Sequence, residues 1–341
     1  MTTLLSPVRP LVDAAIGSVC TACVVRVERG GRAETYAAGS LDPEGEDAPC
    51  TSDTLFDLAS LTKLATAALV LTYVRDEALA FDTPFVELVA AFPRRDVTLL
   101  QVLTHTAGLA WWVPLYKEAR GLEAVVARAS VEPLAHEPGP TFVYSDLGYI
   151  MLTSGMARLG DKPYERLVEE RVLGPLGVAS VEMRYLPDEP ERCAATELDQ
   201  EWRGRRLRGE VHDENAFAMG GIAGHAGLFG TARAVAKLMA VFREGAAIGG
   251  KLASEARREH ASGENGRYGI GVQLKAREGS LLGRYFSADS YGHTGFVGTS
   301  VFVDPERDLT VVLLTNRVYF GRADEPIRAF RVAVHEALTS P

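Results

Sequence analysis

The chain is poor in lysine, in cysteine and in net positive charge. It has 341 residues, 36 of them Lys or Arg against 45 Asp or Glu, for a net charge of −9 at pH 7 and a pI near 5.4. Nucleic acid needs a cationic face for its phosphates, so it is excluded as a partner, and an anionic membrane surface with it. No apolar run has the length of a bilayer span. Ala14 to Val25, the longest uncharged stretch near the start, is too short. Asn215 to Ala232 is also uncharged, but five glycines mark it as loop. The first residues do not read as a secretory leader, because Pro7, Arg9, Pro10 and Asp13 interrupt them. A cytoplasmic protein is expected. Cys20, Cys23, Cys50 and Cys193 include one C-x-x-C pair, with no second pair and no thioredoxin-like setting. They are expected to pack as small apolar side chains. There is no H-E-x-x-H, no internal repeat and no low-complexity tract. No cofactor and no metal are expected, and the oligomeric state is left open.

What is present is an ordinary globular composition, 47% hydrophobic and 24% charged, long enough for one large domain or two packed closely. Pro7 to Val19 reads as an amphipathic helix. Cys20 to Glu28 and Ala33 to Gly39 flank the turn Arg29-Gly30-Gly31-Arg32, a hairpin signal, and a polar loop from Asp42 to Ser52 follows. Leu61, Leu64, Ala65, Ala68 and Leu71 then recur at helical spacing, with Leu69 and Val70 on the other faces. A helix apolar nearly all round is a buried one, and this one starts near Ser60. From Asp76 to Gly224 helical patterns dominate. They include Leu99 to Leu103 behind a Thr98 cap, Gly148 to Arg158, and Tyr164 to Val172. Thr231 to Glu244 is another helix. Tyr268 to Leu274, Ser300 to Val303 and Leu309 to Leu314 read as strands, and Glu325 to Leu338 as a closing helix. The predicted fold is α+β: an antiparallel sheet built from both ends of the chain, flanked by the first and last helices, with a large helical insertion. Residues 1–75 and 225–341 would form the sheet domain and 76–224 the helical one, with the site in the cleft between them.

Three short motifs carry chemistry. Ser60-Leu61-Thr62-Lys63 is S-x-x-K. The Ser stands at the start of a buried helix, where free N–H groups and the dipole favour negative charge on oxygen. Lys63 follows one turn later on the same face. A Lys in an apolar helix must be paired or deprotonated, and an amine beside a hydroxyl is a base beside a nucleophile. The plain alternative is a surface Lys on an ordinary helix. Tyr144-Ser145-Asp146 follows the turn cluster Glu137-Pro138-Gly139-Pro140 and precedes a helix. Tyr144 is a candidate second acid/base group, or else a core Tyr at a capped helix start. His293-Thr294-Gly295 leads into Phe296-Val297-Gly298. A strand Gly permits close approach of a ligand; His293 could supply a proton or a cation, and Thr294 a hydroxyl.

In this order the three motifs resemble the penicillin-binding protein and class C β-lactamase superfamily, with its family VIII carboxylesterases and D-stereospecific peptidases. That pattern is S-x-x-K, then Y-x-N, then [KH]-T-G. Phe56 to Lys63 is similar to the family's nucleophile segment, and Leu103-Thr104-His105-Thr106-Ala107-Gly108-Leu109 to its H-T-S-G-L loop. The resemblance runs from about residue 10 to 338 and implies a β-lactamase/transpeptidase-like fold. It implies that Ser60 attacks an acyl carbonyl, that Lys63 takes its proton and that Tyr144 carries the proton to the leaving group. The backbone N–H groups of Ser60 and Phe296 would form the oxyanion hole. The partner is then a small-molecule acyl amide or ester.

Two residues depart from the pattern. Asp146 stands where Asn is usual and can only accept when ionised, so it could pair with Lys63 instead. His293 replaces the Lys common in β-lactamases, so a fixed cation for a β-lactam carboxylate is less assured. β-Lactamase activity is therefore expected to be weak. Val211-His212-Asp213-Glu214-Asn215-Ala216, with Gly220 to Phe229, resembles a subgroup that holds cytoplasmic muropeptide-recycling amidases. A muropeptide amidase or D-amino-acid peptidase and a promiscuous carboxylesterase stand side by side, with a non-catalytic muropeptide or β-lactam sensor as a further alternative. His212, Glu214 and His225 are cleft candidates, as are His105 and Trp111. A metallohydrolase using His212 and His225 is the remaining alternative.

Overall fold

A computed structural model of the chain describes residues 3–139, 141–263 and 266–340. Pro140, the last residue of the expected turn cluster, lies outside the described residues. The core is an eight-stranded antiparallel sheet. Its spatial order is Arg32–Gly39, Ala22–Arg29, Leu309–Thr315, Ser300–Asp304, Tyr291–Thr294, Gln273–Leu274, Gly266–Tyr268 and Ala261–Gly263. The N-terminal hairpin turns where the sequence predicts. Arg29 faces Arg32, and Gly30 and Gly31 sit at φ +56° and +73°, the left-handed pair that a tight two-residue hairpin turn demands.

Period-2 alternation then assigns each strand two faces. Val25, Val27, Val311 and Leu313 point to one side, against the helices Arg9–Ala15 and Glu325–Thr339. Cys20 and Cys23 lie in this layer as buried thiols, packing as expected. Val24, Val301, Val303, Val312 and Leu314 point to the other side, into the core that holds the helices Thr62–Arg75 and Ala232–Leu238. Thr62–Arg75 is buried from Thr62 to Tyr73, as its all-round apolar pattern requires. The Thr98 cap also forms. Its hydroxyl accepts from the Gln101 N–H at 3.3 Å, and the Gln101 side chain accepts from the Thr98 N–H at 2.8 Å.

Three expectations change. The first helix spans only Arg9–Ala15, because Gly17 at φ +82° turns the chain before Val19. Tyr268 to Leu274 is not one strand but two, Gly266–Tyr268 and Gln273–Leu274, which pair with each other across a turn. Gly271 makes that turn at φ +72°, and a β-carbon there would sit 2.2 Å from the Ala67 side chain, so the strand folds back to clear the buried helix. Beyond Leu173 the insertion ceases to be helical. From Gly174 to Asp213 it runs through the short strands Met183–Tyr185, Leu198–Asp199 and Arg205–Arg206 and a single 3-10 turn, Pro190–Arg192. Met183–Tyr185 and Phe56–Asp57 flank Leu228–Gly230 in a three-stranded sheet, which ties the segment leading into Ser60 to the glycine-rich loop. Among the described residues no helix is long and apolar enough to cross a membrane.

Asn316, just past Leu309–Thr315, joins three segments. Its side-chain oxygen accepts from the N–H groups of Thr21 and Ala22, and its amide donates to the Thr21 hydroxyl and the Ala195 carbonyl, at 2.7 to 3.1 Å. All of these groups are buried, so removing the amide strands several of them. Asn316→Ala is expected to lower the unfolding free energy by about 3 kcal/mol, read from urea titration at unchanged m-value.

Candidate active site

Ser60 lies in a 3-10 turn, Ala59–Leu61, that feeds directly into the helix Thr62–Arg75. Ala59 is held at φ +46°, a region unfavourable for a residue with a side chain. The buried Asp57 carboxylate stabilises that turn. One oxygen accepts from the Ala59 N–H and the other from the His212 N–H, each at 2.7 Å. Burial pushes the Asp57 carboxyl up, and the two N–H donors work against that shift. Lys63, fully buried, sends its amine back over the turn. The amine lies 2.9 Å from Ser60 Oγ, 3.4 Å from the His225 carbonyl and 2.6 Å from Asp146 Oδ1. The Asp146 contact is close but bent away from hydrogen-bond geometry, so it acts as an ion pair. The surface-lysine alternative therefore falls, and the Asp146 substitution is explained: the carboxylate is the counter-charge of a buried amine.

Tyr144 and Asp146 are carried by the segment before the helix Leu147–Gly160. His105 positions that segment. Its Nδ1 accepts from the Ser145 N–H at 3.1 Å, its carbonyl accepts from the Val143 N–H at 3.0 Å, and its ring lies 4.6 Å from that of Tyr144 and 5.4 Å from that of Tyr149. Because Nδ1 accepts, the hydrogen of the neutral His105 ring is on Nε2. Burial, with Lys63 and His293 nearby, holds His105 well below its ordinary pKa. The Lys63 amine lies 4.8 Å from the centre of the Tyr144 ring. Burial and the Asp146 carboxylate push the Tyr144 phenol well above its ordinary pKa, with the Ser60 hydroxyl acting the other way. Tyr144 is therefore a phenol at neutral pH.

The strand Tyr291–Thr294 closes the other side. Its neighbours dock on the nucleophile turn: the Thr299 hydroxyl donates to the Leu58 carbonyl at 3.1 Å, and a β-carbon on Gly295 would lie 2.6 Å from the same oxygen. Only glycine lets the strand come this close. Among the described residues neither the Ser60 N–H nor the Phe296 N–H finds an acceptor. The Phe296 carbonyl is fixed by Arg317 Nε at 2.9 Å. His293, open in sequence as a proton source or a cation, is buried. Burial first, then Lys63, pulls its pKa down to about 3, so the ring is neutral. Thr294 Oγ1 lies 3.3 Å from Gln273 Nε2.

With this geometry in hand, comparison with known proteins identifies the type. The Beta-lactamase family profile matches residues 14–335. The chain belongs to the Beta-lactamase family. An Escherichia coli K12 relative, provisionally named D-alanyl-D-alanine carboxypeptidase, is 30% identical over 312 residues, 80% of this chain and 71% of that protein. A relative of the same name from Escherichia coli O157:H7 is 28% identical over 332 residues, 86% of this chain and 76% of the other. Among solved structures, EstCE1, a hydrolase with promiscuous acyltransferase activity, has a TM-score of 0.79 at 21% identity, covering 96% of this chain and 98% of its own. A penicillin-binding protein from Bacillus halodurans gives 0.75 at 21% identity, covering 98% and 100%. At that identity these structures speak for the fold, and the β-lactamase/transpeptidase-like α+β fold is the predicted one. The chain is thus a hydrolase of the Beta-lactamase family.

The remaining candidates separate. His212 stacks on Phe296 with ring centres 5.6 Å apart, and its Nε2 lies 2.8 Å from Glu197. Glu214 turns to Arg322 at 2.7 Å, which also grips Glu197. His225 pairs through Nε2 with Asp213 at 2.8 Å. The two histidines thus serve different carboxylates, and among the described residues no three metal-ligating side chains are grouped as a metal would need. That corrects the metallohydrolase alternative. Trp111 is 64% exposed, while its carbonyl accepts from the Asp146 N–H at 3.1 Å. Asp57 escaped the motif reading; its signal was a lone carboxylate three residues before Ser60 in an apolar run. Asp213, which stood in sequence with His212, Glu214 and His225 as a possible metal ligand, instead caps the helix Glu214–Ala218 and pairs with His225.

Buried neutral histidines make stability depend on pH. His293 is held near 3, His335 near 4 and His105 below its ordinary 6.5, whereas all three bind protons near 6.5 once unfolded. The unfolded chain therefore binds more protons in acid. Stability is full above about pH 6.5 and falls as the pH drops toward the folded values. Shifted carboxylates such as Asp76 and Glu197, both near 2, add to this only below their ordinary 3.8 and 4.5. The urea midpoint is expected to fall between pH 7 and pH 5; a flat profile there would contradict neutral burial.

Proposed function

We propose that the protein hydrolyses an acyl amide or ester through an acyl-enzyme on Ser60. The observation that carries this reading is the Lys63 amine 2.9 Å from Ser60 Oγ; among the described residues the Ser60 and Phe296 N–H groups also have no acceptor. Lys63 reacts as the free amine, its resting proton released before attack, and Ser60 Oγ attacks the acyl carbonyl as its own proton passes to that amine. Asp146 stabilises the ammonium that re-forms. The Ser60 and Phe296 N–H groups take the developing oxyanion, a contribution of roughly 3 kcal/mol per donor. Tyr144, a phenol, gives its proton to the leaving group and is replenished from Lys63. Water then repeats the sequence against the acyl-enzyme. The carboxypeptidase-named relatives support a D-amino-acid peptide substrate, and EstCE1 supports an ester.

Ser60→Ala is expected to reduce p-nitrophenyl acetate hydrolysis by about 10⁴-fold or more, and Lys63→Ala by about 10²- to 10⁴-fold, with circular dichroism unchanged. Wild-type turnover in a folded Ser60→Ala protein would defeat the proposal. Asp146→Asn leaves buried Lys63 without its counter-charge and is expected to lower stability by about 3 kcal/mol, measured by thermal and urea unfolding, along with turnover.

A further inference from the structure

The side of the cleft that receives the leaving group follows from Tyr144, the proton donor of the mechanism proposed above, whose ring centre is 6.0 Å from that of His293 and 5.9 Å from that of Tyr268. The groups there are His293, Thr294, Gln273 and Tyr268, and none carries charge. His293 Nδ1 lies 2.7 Å from the Thr294 carbonyl. A carbonyl only accepts, so Nδ1 holds the ring hydrogen, and Nε2 of the neutral ring is a bare acceptor. Gln273 Nε2 donates to the Tyr268 hydroxyl at 2.7 Å and to Thr294 Oγ1 at 3.3 Å. Burial keeps Tyr268 a phenol.

Nearby cations are engaged elsewhere. Lys63 has Asp146 at 2.6 Å. Arg331 donates to the Gly295 and Thr299 carbonyls behind the strand. A groove of about 310 Å³ continues past Gln273, and three cations line it. Arg267 is bound to Glu259, Lys275 to the Phe286 carbonyl, and Arg328 lies 3.7 Å from Asp324. A carboxylate placed beside the scissile bond would exchange its hydration for a nitrogen lone pair, a hydroxyl, an amide and a phenol, without a counter-charge.

We infer that the leaving-group side of this cleft takes an uncharged group, such as a carboxamide, an ester or an alcohol, and discriminates against a free carboxylate next to the scissile bond. This rests on Ser60 as the nucleophile. A carboxypeptidase substrate carries such a carboxylate on the residue it releases, so the chain differs here from what the names of its relatives describe. Its substrates are internal or amidated peptide bonds and esters of neutral leaving groups.

The test uses two esters of matched shape, 3-carbamoylphenyl acetate and 3-carboxyphenyl acetate, each rate divided by the ester's own alkaline hydrolysis rate. Wild-type kcat/KM is expected to favour the carbamoyl ester by about tenfold or more, and His293→Lys to narrow or reverse that ratio. The wild-type ratio decides the matter even if His293→Lys fails to fold. Equal rates or a preference for the carboxylate would overturn the inference, as would a folded His293→Lys protein with an unchanged ratio. Ser60→Ala separates the two levels. If it turns over both esters at the wild-type rate, the nucleophile assignment falls and this inference falls with it. If turnover needs Ser60 but does not discriminate, this inference alone falls.

Discussion

A lysine amine with no solvent exposure, 2.6 Å from one carboxylate and 2.9 Å from a serine hydroxyl, sets the terms for everything around it. Leaving such a group unpaired inside the protein would be strongly destabilising, so the site must bring it a partner. Asp146 is that partner. It comes from a different part of the chain, at the start of the helix Leu147–Gly160, so the ion pair fastens the helical insertion to the nucleophile turn. Burial, reinforced by this positive charge, keeps His105 and His293 neutral, and burial with the Asp146 carboxylate keeps Tyr144 protonated. Burial and one ion pair together thus set the protonation of the groups that surround Ser60.

A second set of contacts fixes the geometry. Asp57 accepts from Ala59 and from His212, and so binds the strained turn to the segment that precedes the glycine-rich loop. The Leu58 carbonyl, bonded to Thr299, brings the strand with His293 against the same turn. Two segments distant in sequence, around His212 and Thr299, therefore converge on the turn that carries Ser60. That convergence leaves the N–H groups of Ser60 and Phe296 side by side in role, both free of backbone partners among the described residues.

The rim differs in character from the interior. Phe296, 44% exposed, is flanked by the His212 ring and the Arg317 guanidinium, and behind it Arg322 bridges Glu197 and Glu214. This lattice of paired charges holds the aromatic side chain at the cleft mouth without lending it a free charge. Trp111 is exposed on the loop whose backbone supports Asp146. Lys63 is the buried cation of the site, and Asp146 balances it.

The local grammar of the chain was readable before any fold. Gly30-Gly31 dictates the first hairpin, Thr98 and Gln101 dictate a helix start, and the all-round apolar pattern after Ser60 dictates a buried helix, because each depends on neighbours a few residues away. The S-x-x-K, Y-x-D and H-T-G motifs could be read for the same reason, and with them the family. What depends on distant neighbours could not be read. Tyr268 to Leu274 breaks in two because Gly271 packs against Ala67, some 200 residues earlier in the chain. His212 and His225 looked like ligands in sequence, yet each is held by a separate carboxylate. His293 was open in sequence as a proton source or a cation, and burial, with Lys63 nearby, makes it neutral. The sequence by itself determined the chemical inventory and the fold class. Only the tertiary structure decided the charge state of that inventory, because charge inside a protein follows from burial and from partners that the chain brings together only when folded.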